Sequence, residues 1–127
     1  MAESQPGYEA LPIYKIAMAT AIAIEMVVRA FPRSHKYTFG ARLRDTSMDT
    51  VILVGRAYRR GPERAPVVAE LVDRIEELKL LINLGREIQA FASFKQYAQL
   101  MEQVMNMARQ AEGWRKASVR PRSTAPA

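Results

Sequence analysis

Apolar residues recur at alternating spacings of three and four along four stretches of the sequence, which is the pattern of helices with a buried face. No stretch alternates with a period of two over the length of a strand, and the sequence contains no internal repeat. The pattern predicts helices over residues 11–30, 35–60, 66–89 or 66–91, and 93–116. Because the connections between them are short, we predict an all-α protein, an antiparallel up-down-up-down four-helix bundle.

The first predicted helix is apolar around nearly its whole circumference, and its only charged residues are Lys15, Glu25 and Arg29. A helix of this composition is buried on more than one side. In a domain this small, we expect the second side to face another subunit; a deeply central helix in a monomer is the alternative. The principal stripe comprises Ile13, Ala17, Thr20, Ile24, Val27 and Phe31.

Residues 31–44 combine a chain reversal, a helix start and a dense set of cations. Pro32 removes a backbone donor and disfavours helix at the preceding residue, so the first helix must end there. The hydroxyl of Ser34 is expected to cap the second helix. Gly40 and Gly55 each cost about 1 kcal/mol in a helix interior, so both are expected to permit close packing. The inward stripe of the second helix is predicted to contain Tyr37, Gly40, Leu43, Ser47, Val51, Val54 and Tyr58.

The third and fourth helices carry clear local signals. The apolar positions of the third keep a strict three-four alternation, the seam expected between packed helices. Ser93 and Gln96 have the spacing of a capping box, which predicts the start of the fourth helix. The seam of the third helix comprises Val68, Leu71, Ile75, Leu78, Ile82 and Gly85. The seam of the fourth is predicted to comprise Phe94, Tyr97, Met101, Val104, Ala108 and Ala111.

The 127 residues suit one domain, and their 49% apolar content excludes a wholly disordered chain. We predict a flexible lead-in over residues 1–10, the helical bundle over 11–117 and a disordered basic tail over 118–127. The beginning lacks the features of a signal peptide, and the most apolar run, residues 16–24, is far short of the roughly 20 residues that span a bilayer. Together with the absence of cysteine, these features predict a cytoplasmic protein with no membrane partner.

The net charge of +6 is distributed unevenly. Nine lysines or arginines and three acids occur between residues 29 and 64, and four cations and no acid follow residue 112. This distribution is typical of a face that meets a polyanion, because a row of guanidinium groups can follow phosphates without recognising bases; a generic solubilising surface is the alternative. The predicted contacts to nucleic acid or an acidic partner are Arg29, Arg33, Lys36, Arg42, Arg44, Arg56, Arg59, Arg60, Arg115 and Lys116.

Residues that could carry catalysis are sparse. Di-metal sites in helical bundles need Glu-x-x-His pairs on two helices, whereas the chain has one histidine, His35, with no glutamate at that spacing. Glu76 and Glu77 are adjacent in sequence, so they do not face each other on a helix. The sequence also lacks a phosphate-binding glycine loop and a nucleophile elbow. We therefore predict a non-enzymatic protein with no metal and no cofactor.

Two groups of residues carry a likeness to a known family. They are Phe31-Pro32-Arg33, Lys36-Tyr37, Phe39-Gly40 and Leu43-Arg44 in residues 31–44, and Arg109-Gln110, Gly113-Trp114 and Lys116 at the end of the last helix. They resemble the signature of small four-helix-bundle proteins of bacteria and phages, which include the accessory variability (Avd) proteins of diversity-generating retroelements and the proteins encoded in ribosomal-RNA intervening sequences. The likeness extends over residues 11–118, and the end of the last helix is similar to the Avd branch.

This resemblance implies a specific function. Avd-type proteins form a homopentameric barrel of bundles with a positive surface, associate with the retroelement's reverse transcriptase and its template RNA, and are required for mutagenic cDNA synthesis. The resemblance therefore implies that the partners of this chain are a reverse transcriptase, RNA or DNA, and copies of itself. The alternative is a structural or protein-interaction module of the intervening-sequence type, whose basic face would dock an acidic protein.

Overall fold

The computed structural model describes residues 7–119, and this part of the chain is all-helical, with no strand. The predicted all-α class is therefore confirmed. Two short 3-10 turns accompany the helices, at Tyr8–Ala10 and Gly61–Glu63. The α-helices are α1 (Pro12–Arg29), α2 (Arg33–Lys36), α3 (Phe39–Arg60), α4 (Ala65–Glu87) and α5 (Phe94–Ser118).

Each of the four long helices packs against two others. Helix α1 contacts α3 and α5, and α4 contacts the same two helices. Two contacts show which ends of α1 and α3 meet. The ring of Tyr8, just before α1, lies 6.4 Å from that of Tyr58 near the end of α3. Glu25 near the end of α1 lies 2.9 Å from Arg44 near the start of α3. The start of each helix therefore lies beside the end of the other.

The core lies between the four long helices and is mainly aliphatic. The predicted seam of α4 is confirmed, since all six of its residues, from Val68 to Gly85, are buried. In α5 the seam is rotated from the prediction, because Phe94 is 68% exposed and Tyr97 is only partly buried. The α5 residues that reach the core are Leu100, Val104, Met107 and Ala111. Fully burying a side chain of this kind contributes roughly 1.5–3 kcal/mol, so these positions dominate the stability of the fold.

The second predicted helix is divided in two, and the predicted capping by Ser34 is wrong. The carbonyl of Pro32 accepts the N–H of His35 and of Lys36, so Pro32 begins α2 and the Ser34 hydroxyl makes no cap bond. The chain then leaves the helix at residues 37–38. Tyr37, predicted to point inward, is 66% exposed.

The break before α3 allows Phe39 and Gly40 to pack against the end of α1. The ring of Phe39 stacks on Phe31 with centroids 5.9 Å apart, and Phe31 meets Phe91 edge-on at 5.6 Å. A Cβ atom at Gly40 would lie 2.8 Å from Cγ1 of Val28, which confirms the predicted close packing there.

The start of α5 follows its predicted cap. The Ser93 hydroxyl accepts the backbone N–H of Gln96 at 3.1 Å. The side-chain oxygen of Gln96 accepts the N–H of Ala92 at 2.9 Å, one residue earlier than in the standard capping box. At the other end, α5 continues to Ser118, one residue beyond the predicted boundary of the domain.

Helix α1 has one buried face and one exposed face within the chain. Ile13, Ala17 and Ile24 are buried, whereas Ile22 and Met26 are each 58% exposed. The alternative of a helix covered on all sides within one chain is therefore wrong. None of the helices in residues 7–119 is long and apolar enough to cross a membrane.

The described part of the predicted lead-in is structured. Residues 8–10 form a 3-10 turn, and the ring of Tyr8 packs 5.0 Å from that of Tyr14 in α1. The remainder of the predicted lead-in, residues 1–6, and most of the predicted tail, residues 120–127, lie outside the described residues.

Candidate nucleic-acid interface

The predicted cations lie in two groups at opposite ends of α3. One group is at the corner end, formed by the end of α1, by α2 and by the start of α3 (residues 29–44). The other is at the linker end, formed by the end of α3, the turn to α4 and the end of α5 (residues 56–64 and 115–116). The two groups differ in how many carboxylates lie against them.

At the corner end, most of the predicted cations have acidic partners. Glu25 lies 3.5 Å from Arg29 and 2.9 Å from Arg44, so one carboxylate serves two guanidinium groups. Arg42 donates a hydrogen bond to Glu77 of α4 at 2.9 Å. Arg42 therefore faces α4 and Arg44 faces α1. These two arginines therefore contact different neighbouring helices.

Two corner cations are left without such a partner. In the part of the chain that the model describes, neither Arg33 nor Lys36 forms an ion pair with a carboxylate. The Nζ atom of Lys36 lies 5.9 Å from the centroid of the exposed Tyr37 ring. This small group combines two cations with an exposed aromatic ring.

At the linker end, most of the predicted cations lack acidic partners. Arg56, Arg59 and Arg60 are exposed, and none of them forms an ion pair with another described residue. Lys116 likewise forms no ion pair with another described residue. Uncompensated guanidinium groups on one surface raise the local positive potential and attract phosphates.

Arg64 connects this surface to the end of α5. Its Nε donates to the Ser118 hydroxyl at 2.7 Å, and its guanidinium group lies 5.9 Å from the centroid of the Trp114 ring. Arg115 and Lys116 are thereby held beside the turn from α3 to α4. Sequence analysis did not include Arg64 among the site residues, because the contact with Trp114 joins positions that are far apart in the chain.

Arg115 is the linker-end cation that does have a carboxylate partner. Its Nε donates to Glu112, one turn earlier in α5, at 3.0 Å. This hydrogen bond holds the pKa of the Glu112 carboxyl below its usual value, and Glu112 raises the pKa of the Arg115 guanidinium. Arg115 is therefore less available to an external anion than Arg56, Arg59 and Arg60.

A groove opens between the start of α1 and the end of α3, beside the linker-end cations. It encloses about 300 Å³. We call it the tyrosine groove, because Tyr8 and Tyr14 form its aromatic wall. The sequence pattern does not reveal this groove, because it predicts a flexible lead-in at Tyr8. The lining residues are Tyr8, Tyr14, Val51, Ile52, Gly55, Arg56 and Arg59.

Gly55 lies in this groove without the packing role predicted for it. A Cβ atom at Gly55 would have no heavy atom within 4 Å, whereas one at Gly40 would collide with Val28. The prediction of close helix packing is therefore right for Gly40 and wrong for Gly55. In the described chain, the surface above Gly55 is open.

The described side chains at the linker end supply groups that can bind a ligand. Across residues 7–119, no group of three or more His, Cys, Asp or Glu side chains could hold a metal ion. The exposed guanidinium groups can bind phosphates, and the tyrosine rings can stack on planar groups.

No protein-family model matches the sequence, and no curated protein matches it.

Proposed function

We propose that the protein is a non-enzymatic, basic accessory module of a diversity-generating retroelement that binds nucleic acid through its linker end. The observation that supports this most strongly is the cluster of Arg56, Arg59 and Arg60, which have no ion-pair partner among the described residues. Phosphate contacts of this kind supply affinity without sequence preference and weaken steeply as salt rises. The retroelement itself is proposed from the family resemblance.

For the fold, we propose an antiparallel up-down-up-down four-helix bundle. The contact of Tyr8 with Tyr58 and that of Glu25 with Arg44 support it for α1 and α3. Short connections also favour antiparallel neighbours, and here residues 61–64 connect α3 to α4 while residues 88–93 connect α4 to α5.

We further propose that the bundles assemble into a ring-like homopentamer. Exposed apolar residues lie on two different helix pairs, which suits a ring, because a ring joins two different surfaces of each subunit. The subunit number of five comes from the family resemblance. On α1 and α3 the exposed residues proposed for this contact are Ile22, Met26 and Met48. On α4 and α5 they are Leu80, Leu84, Phe94 and Met105.

A reverse transcriptase and its template RNA or cDNA are the proposed partners, in the cytoplasm. The corner end has the composition of a protein-docking surface, since aromatic residues and arginine are enriched in interfaces. Tyr37 is 66% exposed there, and Nζ of Lys36 lies 5.9 Å from the centroid of its ring. We therefore propose that nucleic acid binds at the linker end and that the reverse transcriptase binds at the corner end.

Nucleic-acid binding is tested by fluorescence anisotropy with labelled RNA over a range of salt concentrations. We expect binding at low salt, with the logarithm of the association constant falling linearly against the logarithm of salt concentration. The absence of binding at low ionic strength would contradict the proposal.

Assembly is tested by light scattering at micromolar concentration. We expect a mass of several subunits for the native protein and a smaller mass for Ile22→Glu combined with Met26→Glu. Tyr37→Glu is the matched control, because it places an acid at an equally exposed residue outside both apolar surfaces. A native protein that is a monomer would contradict the ring.

The alternative function is a structural or protein-interaction module. The same exposed aromatic and basic group at the corner end favours it, because that group suits an acidic protein. Co-purification with a reverse transcriptase encoded beside this gene supports the retroelement function. Binding of an acidic protein together with no affinity for RNA or DNA would favour the alternative.

A further inference from the structure

We propose that the tyrosine groove is a binding subsite for one unpaired nucleotide of a single-stranded nucleic acid. The base lies against Tyr8 and Tyr14, and the adjoining phosphates bind Arg56 and Arg59. This inference rests on the proposed nucleic-acid binding and adds to it a site that distinguishes single strands from duplexes.

The aromatic wall of the groove is exposed and fixed in place. The rings of Tyr8 and Tyr14 lie 5.0 Å apart at an angle of 49°, and Tyr58 meets Tyr8 edge-on with centroids 6.4 Å apart. Tyr8 is nonetheless 38% exposed, so part of its surface is available to a ligand. Aromatic platforms of this kind stack on unpaired bases with little sequence preference.

Among the described residues, those that line the basic side of the groove include no acid. Arg56 and Arg59 contribute to the lining, and none of the seven lining residues is Asp or Glu. Neither arginine is held in an ion pair with another described residue, so both can reach a phosphate. An aromatic surface combined with two free guanidinium groups matches a base joined to its phosphates better than it matches a purely apolar ligand.

Gly55 provides space between these two parts of the groove. A helix-interior glycine is unfavourable unless close approach or packing requires it, and Gly55 has no neighbour within the chain that would require it. A nucleotide that lies along α3 at this point would come close to the backbone, where a side chain would obstruct it. The volume of about 300 Å³ lies at the small end for ligand sites, which suits one nucleotide.

The decisive variant is Gly55→Leu, which fills the groove from a helix that tolerates leucine better than glycine. Gly113→Leu is the matched control, because Gly113 is also a helical glycine with open space where its Cβ would lie, but it lies in α5 outside the groove. Tyr8→Ala is a second variant, which removes the stacking surface and leaves the arginines unchanged. Circular dichroism and light scattering verify that each variant retains its fold and assembly.

The affinities are measured by anisotropy with labelled single-stranded RNA, single-stranded DNA and a duplex of equal length. For Gly55→Leu and Tyr8→Ala we expect about a 10-fold loss of affinity for at least one of the single strands. We expect less than about a twofold change for the duplex and for Gly113→Leu, because the phosphate contacts elsewhere at the linker end are unchanged. The RNA and DNA arms show which strand the groove prefers.

The outcomes separate this inference from the proposed function. If the native protein binds neither strand nor duplex at low salt, the proposed function itself fails. If the native protein binds but Gly55→Leu and Tyr8→Ala bind single strands normally, the groove is not a nucleotide subsite and the proposed function stands. Equal losses of affinity for single strand and duplex would also overturn the inference. So would a competition titration in which poly-glutamate, but no unlabelled single-stranded oligonucleotide, displaces the labelled single strand from the protein.

Discussion

The corner end and the linker end carry similar cations but differ in what surrounds them. At the corner end, Glu25 and Glu77 from neighbouring helices bind Arg29, Arg42 and Arg44. At the linker end, the three arginines at the end of α3 have no such partner among the described residues.

The corner end is also packed more tightly than the linker end. An aromatic cluster fills the corner end, where Phe31 contacts both Phe39 and Phe91 and leaves no space at Gly40. The linker end instead has an open groove with space at Gly55. Three corner-end arginines are therefore held by acids of the same chain, while the linker end keeps its charge and its surface available for a ligand.

The largest expected effect is a difference in nucleic-acid affinity between variants of the linker end and variants of the corner end. Replacing Arg56, Arg59 and Arg60 together by glutamine should weaken RNA binding by about 10- to 100-fold and reduce the steepness of its salt dependence, because phosphate contacts are lost. The matched replacement of Arg29, Arg42 and Arg44 at the corner end should change affinity by less than about threefold, because these arginines already pair with Glu25 or Glu77. Anisotropy titrations at several salt concentrations measure both.

The matched control replaces Arg29, Arg42 and Arg44 by glutamine, which removes the same charge from the corner end. Urea unfolding of both triple variants verifies that the comparison concerns folded proteins. Equal losses of affinity at the two ends would remove the distinction between them.

The next effect concerns stability at the two glycines of α3. Gly40→Ala should lower the free energy of unfolding by about 1–3 kcal/mol, because the new Cβ would lie 2.8 Å from buried Val28. Gly55→Ala should raise it by up to about 1 kcal/mol, because alanine favours helix and has no collision there. Urea denaturation with a two-state fit measures both values. A loss of stability in Gly55→Ala would mean that the groove floor is packed after all.

A smaller effect tests whether the corner charges are coupled as their distances indicate. A double-mutant cycle on Arg44 and Glu25 should give a coupling of about 0.5–1 kcal/mol, because the Arg44 side chain is largely screened from water. The same cycle on Arg29 and Glu25, separated by 3.5 Å and more exposed, should give about 0.3 kcal/mol. Thermal unfolding at low salt measures the four variants of each cycle. A larger coupling for Arg29 than for Arg44 would contradict the assignment of partners.

The smallest effect depends on pH at the linker end. Because Arg115 lowers the pKa of Glu112 in the folded state, this pair adds stability above the ordinary glutamate pKa of 4.5. That contribution is lost as the pH falls through the lower folded-state pKa. The melting temperature of Glu112→Gln should therefore lie slightly below that of the native protein at pH 7, and the difference should shrink in acid. A difference that grows in acid would have the wrong sign.

The sequence predicted those parts of the fold that depend on local periodicity. The seam of α4 and the cap at Ser93 follow from spacing and hydrogen-bonding capacity within a few residues. The division at residues 37–38 could not be predicted in this way, because it depends on Phe39 reaching Phe31 across the corner.

The candidate site was predicted in part for a related reason. Charge clustering identified the linker-end arginines, since those residues are close in sequence. It could not show which arginines meet acids, because Glu77 approaches Arg42 from another helix. It also could not reveal the tyrosine groove, since Tyr8 joins Tyr58 only in the folded chain. Periodicity and composition describe single helices, whereas this site depends on contacts between helices.

Arginine-specific labelling with phenylglyoxal, analysed by mass spectrometry with and without saturating single-stranded RNA, tests the central claim most directly. We predict that RNA protects Arg56, Arg59 and Arg60 from modification and leaves the reactivity of Arg42 and Arg44 unchanged. Protection confined to the corner end, or the same degree of protection at both ends, would contradict the account.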